Sequence, residues 1–111
     1  MFTIDNDMKI TLSRGDSAAL YITMTGDVPE QGDRVIASLK NAPGLKRCIW
    51  KKELQNVGDD SFLLEIFPED TEDLAFGEYS WDIRVFYGDG NVTTLFNPAP
   101  FVVSPVVTDN E

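Results

Sequence analysis

The sequence contains no histidine and only one cysteine among its 111 residues. Without histidine, the most common general base of catalytic triads and the most common transition-metal ligand are both missing. Cys48 has no partner for an internal disulfide and no neighbouring base, so it is interpreted as a small apolar strand or core residue. Gly-x-Ser-x-Gly and phosphate-binding glycine motifs are also absent. The sequence therefore predicts a protein that is not an enzyme, with no catalytic, cofactor-binding or metal-ligating residues.

Long apolar runs and basic residues are scarce as well. No segment approaches the roughly 20 apolar residues of a membrane-spanning helix, and the N-terminus lacks the basic start and apolar run of a signal peptide. Nine Lys and Arg against nineteen Asp and Glu give a formal charge of −10, which opposes binding to phosphate backbones and anionic lipids. We expect a protein made in the cytoplasm, with neither nucleic acid nor a membrane as partner.

One basic cluster stands out from this acidic background. Lys46, Arg47, Lys51 and Lys52 surround Trp50. A basic patch with an interleaved aromatic is typical of surfaces that bind single-stranded nucleic acid. The same pattern fits an edge strand whose exposed lysines discourage aggregation. The net charge favours the edge strand.

Alternation of apolar and polar residues is the dominant pattern of the chain. It is longest on either side of an acidic stretch, over residues 62–66 and 79–87, and it indicates half-buried strands. Between them, Pro68 and the acids that follow predict a helical turn over residues 68–75, ended by Gly77. Similar segments elsewhere bring the total to about seven strands. We therefore predict one all-β domain, an antiparallel β-sandwich over residues 1–104, with a C-terminal tail over residues 105–111.

The prolines near the C-terminus affect the last predicted strand. Pro98 and Pro100 predict an edge position or a break, because proline cannot donate a hydrogen bond to a neighbouring strand. The apolar segment that follows, residues 102–107, fits either the last strand of the sandwich or a strand added to a partner's sheet.

Several acidic residues are weak candidates for a site. Asp59, Asp60 and Asp89 lie in predicted loops, where they either converge on calcium at one end of the sandwich or remain solvated. Asp82 lies within an apolar strand beside Trp81. It is interpreted as an outward-facing residue or as the partner of Arg84 or of a lysine on a neighbouring strand.

A more specific pattern joins residues 10–17, 67–71 and 77–83, followed by residues 92–95 and 101–103. The first three stretches read Ile-Thr-Leu-Ser-Arg-Gly-Asp-Ser, Phe-Pro-Glu-Asp-Thr and Gly-Glu-Tyr-Ser-Trp-Asp-Ile. Together they resemble small phage and prophage structural proteins, similar to the immunoglobulin-like N-terminal modules of upper baseplate proteins from phages of Gram-positive bacteria. The resemblance spans nearly the whole chain.

This resemblance implies an immunoglobulin-like sandwich in which Tyr79 holds the place of the corner tyrosine. It also implies a virion structural protein of the tail, baseplate or neck, located in the virion. Such a protein would act through contacts with other virion proteins and as a homo-oligomer. No catalytic residue, cofactor or metal comes with the family. The alternative function is a receptor- or carbohydrate-binding β-sandwich module, assisted by calcium, that uses Trp50, Phe86 or Tyr87.

Overall fold

The computed structural model describes residues 2–24, 29–30 and 32–105. Within these ranges the chain forms ten strands and one 3-10 turn, Pro68–Asp70, and no helix there is long and apolar enough to cross a membrane. The strands are β1 (Phe2–Ile4), β2 (Ile10–Ser13), β3 (Ala18–Thr23), β4 (Arg34–Lys40), β5 (Trp50–Glu53), β6 (Gln55–Asn56), β7 (Ser61–Ile66), β8 (Gly77–Phe86), β9 (Val92–Thr94) and β10 (Ala99–Ser104). Of the predicted tail, Pro105 is described, and residues 106–111 lie outside the described part.

The strands form two sheets. The large sheet has the order β1-β2-β10-β8-β4-β5, with β9 paired to the second half of β8, and the small sheet has the order β3-β7-β6. The predicted all-β sandwich is confirmed. The sequence predicted about seven antiparallel strands, whereas β2 and β10 pair in parallel and β6 is an additional strand of two residues. Alternation carries no information about strand direction, and two residues are too few to show a period.

The core lies between the sheets and is filled by alternate residues of their strands. Val35, Ala37 and Leu39 of β4 and Trp81, Ile83 and Val85 of β8 face Phe62, Leu64 and Ile66 of β7, and all are buried. Burial of one large apolar side chain contributes about 1.5–3 kcal/mol. Trp81 also donates its Nε1 hydrogen to the carbonyl oxygen of Met8 at 2.8 Å, so its polar atom is satisfied.

Hydrogen bonds connect three segments at one end of the sandwich: the turn after β2, the segment that follows the 3-10 turn, and β8. Tyr79 Oη donates to the Ala75 carbonyl oxygen at 2.7 Å, which confirms its predicted role as the corner tyrosine. The amide of Gly15 donates to Thr71 Oγ1 at 2.9 Å, and Arg14 Nη1 donates to the Leu74 carbonyl oxygen at 3.3 Å. The carbonyls of residues 74 and 75 are thus bound by side chains from elsewhere. The 3-10 turn covers only Pro68–Asp70, whereas the sequence predicted a helical turn over residues 68–75.

Of the two alternatives predicted for Pro98 and Pro100, the break is present, because residues 95–98 separate β9 from β10. The edge position is wrong, because β10 contains Pro100 and lies between β2 and β8. The pairing of β10 with β2 begins at Phe101, so Pro100 has a neighbouring strand only on the β8 side. Proline has no backbone N–H to donate, but at this position no hydrogen bond to β2 is lost. Val102–Ser104 is consequently engaged within its own sheet and is not free to extend a partner's sheet.

Candidate functional site

The outer face of the large sheet carries polar and charged side chains in rows set by the strand register. Ser38 of β4 lies between Asp82 of β8 and Lys51 of β5. In the next row, Ile36 lies next to Arg84 of β8. Because neighbouring residues of a strand point to opposite faces, the burial of Trp81, Ile83 and Val85 in the core requires Asp82 and Arg84 to point outward. The sheet thus brings together residues that are far apart in the sequence.

A depression of about 100 Å³ lies on this outer face. We refer to it as the outer-face depression. Strands β4, β5 and β8 and the segment preceding β5 contribute its walls, which are formed by Ile36, Ser38, Lys40, Lys46, Cys48, Lys51, Asp82, Arg84 and Phe86. Ionisable groups, a hydroxyl and an aromatic ring therefore meet at one place, as they do in binding sites that combine apolar area with a few orienting polar groups.

Asp82 stands out in the depression because one of its carboxylate oxygens lacks a hydrogen bond. Its Oδ1 is buried and accepts no hydrogen bond from the described residues. The outward orientation predicted for Asp82 is correct, but no ion pair within 4.0 Å joins it to Arg84 or to a lysine in the part of the chain that the structure describes. A buried acceptor without a donor costs about 1–3 kcal/mol. Such an atom is available to a ligand that brings its own donor.

The structure divides the basic cluster of the sequence between two faces. β5 ends the large sheet, which confirms the predicted edge strand. Lys46 and Lys51 line the outer-face depression, whereas Lys52 forms an ion pair with Asp70 at 2.8 Å. Trp50 points into the sandwich and packs edge-to-face against Phe101, with the ring centroids 6.2 Å apart. The basic side chains of the depression therefore have no tryptophan beside them for stacking.

Cys48 is neither in a strand nor in the core, the two positions that the sequence predicted for it. It is half-buried and lines the outer-face depression. The strand begins only at Trp50, so a period of two does not extend back to residue 48. The thiol is free.

Two larger cavities offer less chemistry. One of about 850 Å³ has Asp33 and Glu53 in its wall, but Asp33 accepts hydrogen bonds from the amides of Glu30 and Gly88 and Glu53 is paired with Arg34. The other, of about 230 Å³, lies beside β3 and is lined by apolar residues and one threonine. The outer-face depression is thus the cavity that combines several cationic side chains with a buried carboxylate oxygen that accepts no hydrogen bond.

The predicted calcium residues do not converge. Among the described residues, no three side chains of Asp, Glu, Cys or His are arranged to hold a metal ion. Asp89 Oδ1 accepts a hydrogen bond from the Asn91 amide at 2.9 Å, and Asp60 Oδ1 lies 3.4 Å from Ser61 Oγ. These acids stabilise their own turns. Of the aromatic residues proposed for ligand binding, Phe86 lines the outer-face depression, whereas Trp50 and Tyr87 pack against the core.

Comparison with known proteins gives a relationship of fold. No family model and no curated protein matches the sequence. Among solved structures, a protein of Bacteroides vulgatus described as a "putative glycoside hydrolase" superposes on 90% of this chain with a TM-score of 0.54 and 18% sequence identity. The chain corresponds to 17% of the length of that protein. At this identity the likeness establishes the sandwich fold alone.

The expectation of a virion structural protein is contradicted by this comparison. The matching structure bears the name of a carbohydrate-active enzyme rather than of a phage component, and the family models and curated proteins supply no phage relative. The residues that suggested the phage proteins include Arg14, Gly15, Thr71 and Tyr79, which hold the corner of the sandwich. The role that the structure shows for them is in hydrogen bonds of the fold.

Proposed function

We propose that this chain is a non-catalytic β-sandwich module that binds carbohydrate in the outer-face depression. The observation that carries the proposal is the buried, unpartnered Oδ1 of Asp82 in a depression that also holds Phe86 and several basic side chains. Sugar hydroxyls both donate and accept hydrogen bonds. An ionised carboxylate only accepts and Lys or Arg only donate, so the two kinds of group together match a saccharide.

The apolar part of the site fits the same ligand. Phe86 offers a ring against which the C–H face of a sugar can pack, as aromatic side chains contribute large apolar area at binding sites. Ser38, in the same row as Asp82 and Lys51, adds a hydroxyl that both donates and accepts. The name of the similar Bacteroides vulgatus protein points to carbohydrate as well.

The acid content of the depression supports binding without hydrolysis. Glycoside hydrolysis ordinarily requires two carboxyl groups on opposite sides of the scissile bond, roughly 5–10 Å apart. Asp82 is the single carboxylate among the described residues that line the depression. A site of this composition is able to orient a sugar but lacks the second acid that would cleave it.

The test is binding of the purified chain to an array of neutral and acidic oligosaccharides, followed by affinity measurements on variants. We expect Asp82→Ala to weaken binding at least tenfold, since a hydrogen bond to a charged group is worth about 1.5–3 kcal/mol. Asp82→Ala also removes a buried acceptor that has no hydrogen bond. The free energy of unfolding of this variant should therefore equal or exceed that of the wild type.

Tyr21→Ala is the matched control, since Tyr21 lies on β3 of the other sheet and is 65% exposed. It should leave the affinity unchanged. If no oligosaccharide binds to the wild type, or if Asp82→Ala binds as tightly as the wild type, the proposal is wrong.

A further inference from the structure

The outer-face depression concentrates positive charge in an acidic protein. The chain has nine Lys and Arg and a formal charge of −10. Four of these nine, Lys40, Lys46, Lys51 and Arg84, line this one depression. Four cations against the single carboxylate of Asp82 leave an excess of three positive charges there.

No carboxylate in the described part of the chain forms an ion pair with one of these four cations. In the described residues, the ion pairs within 4.0 Å are Arg34–Glu53 and Lys52–Asp70, and neither includes a cation of the depression. Like charges that share a depression raise each other's free energy, and clefts lined by one sign of charge concentrate ions of the opposite sign. The depression therefore favours an anion.

We propose that the saccharide bound here is acidic, with a carboxylate or sulfate group held by Lys46, Lys51 and Arg84. This inference rests on the carbohydrate-binding function proposed above. A planar guanidinium donates two parallel hydrogen bonds to a carboxylate or sulfate, and the lysine ammonium groups add point charges. Lys46 and Lys51 are exposed, so they can adjust to the ligand without breaking contacts of the core.

The spacing of the charged groups suits a sugar that bears both hydroxyls and an acid. Asp82 and Arg84 are two residues apart on the same face of β8, which places them about 7 Å from each other along the strand. One hexose can therefore present a hydroxyl to Asp82 and its acidic substituent to Arg84. Phe86 lies beyond Arg84, with the guanidinium 5.7 Å from its ring centroid, and offers apolar area to the ring or to the next sugar.

The acidic remainder of the molecule does not cancel this local field. Charges farther away than about 8 Å are largely screened at physiological ionic strength. A ligand seated in the depression therefore experiences mainly the lining groups. The net charge instead discourages indiscriminate binding of polyanions over the rest of the surface.

Matched pairs of ligands test the inference. The first pair is an oligogalacturonate and its fully methyl-esterified form, and the second is a sulfated dextran oligosaccharide and unsulfated dextran of the same length. We expect at least one acidic form to bind ten times or more tightly than its neutral counterpart. The two pairs distinguish a carboxylate ligand from a sulfate ligand.

The control compares two variants that each remove one positive charge, one inside the depression and one outside it. Lys51→Gln should reduce the affinity for the preferred acidic form about tenfold and leave neutral oligosaccharides nearly unaffected. Lys9→Gln, which removes an equal charge from an exposed residue that does not line the depression, should leave both unchanged.

Each further outcome has a separate meaning. Neutral forms that bind as tightly as acidic ones would overturn the inference and leave the carbohydrate-binding function in place. Equal losses in Lys9→Gln and Lys51→Gln would show general attraction of a polyanion, which also overturns the inference. If none of the four ligands and no oligosaccharide of the array binds, the proposed function itself fails.

Discussion

Individual side chains in this molecule serve two distinct purposes. Arg14 and Thr71 join the turn between β2 and β3 to the acidic stretch before β8. Tyr79 joins that stretch to β8, so all three act on the fold. Asp82 and Arg84 make no such contacts and instead face a depression. The sequence pattern that was most recognisable belongs to the first group. Its residues therefore led to the right architecture and to the wrong function.

Asp33 provides a prediction about pH at the level of one residue. Its carboxylate accepts hydrogen bonds from the amides of Glu30 at 2.9 Å and Gly88 at 2.8 Å, and these bonds lower its pKa below the ordinary 3.8. A group whose pKa is lower in the folded state stabilises the fold above the unfolded-state pKa, and this stabilisation is lost as the pH falls through the folded-state pKa.

We therefore expect Asp33→Asn to have a lower free energy of unfolding than the wild type near neutral pH, with the difference shrinking as the pH falls below 3.8. Urea unfolding at a series of pH values measures this. Asp7→Asn removes the same formal charge from an exposed turn and serves as the control. A difference between wild type and Asp33→Asn that is constant with pH would contradict the assignment.

At the scale of elements, one ion pair connects the edge strand β5 to the 3-10 turn. Lys52 Nζ lies 2.8 Å from Asp70 Oδ2, and the side chains are 19% and 15% exposed. Asp70 also accepts a hydrogen bond from the Phe67 amide at 2.7 Å. We expect Lys52→Met and Asp70→Asn each to destabilise the protein by about 1–3 kcal/mol, because each leaves a largely shielded charge or donor unpaired.

A double-mutant cycle on unfolding free energies isolates the pair. The coupling energy between Lys52 and Asp70 should be about 1 kcal/mol. Arg34 and Glu53 form the comparison pair, 3.3 Å apart with side chains 60% and 54% exposed, and their coupling should be smaller because solvent screens exposed ion pairs. The interpretation would be wrong if the exposed pair coupled more strongly than the shielded one.

The elements also show which parts of the structure the sequence could predict. β7 and β8 are long enough for alternation to predict them, over residues 62–66 and 79–87, and those predictions are confirmed. The sequence left an edge position and a break open for Pro98 and Pro100, because a local rule cannot reveal where the pairing with β2 begins. The site depends on the same non-local information. Asp82 was noticed, but its meeting with Ser38 and Lys51 follows from a register across three strands.

At the scale of the whole molecule, the two outer faces of the sandwich differ in chemistry. The small sheet presents Ala19, Tyr21 and Thr23 of β3 to solvent, with Glu65 of β7 beside them. The large sheet presents Asp82, Arg84 and the lysines of the depression. A saccharide that combines hydroxyls with negative charge finds complementary groups on the large sheet. The ligand-binding face is therefore expected to be the one built around β8.

The loop acids give a last prediction, on the role of calcium in the stability of the whole molecule. Asp5 Oδ1 accepts hydrogen bonds from the amides of Asp7 and Lys9, and Asp33 and Asp89 are likewise bound by backbone amides. Carboxylates held by N–H donors are poorly arranged for a cation that needs six or more oxygen ligands. We expect the melting temperature to be the same in excess calcium and in excess EDTA, because an ion stabilises a fold only by binding it. Differential scanning calorimetry, with magnesium as the ionic-strength control, measures this. A rise in melting temperature specific to calcium would show that these acids open to bind an ion.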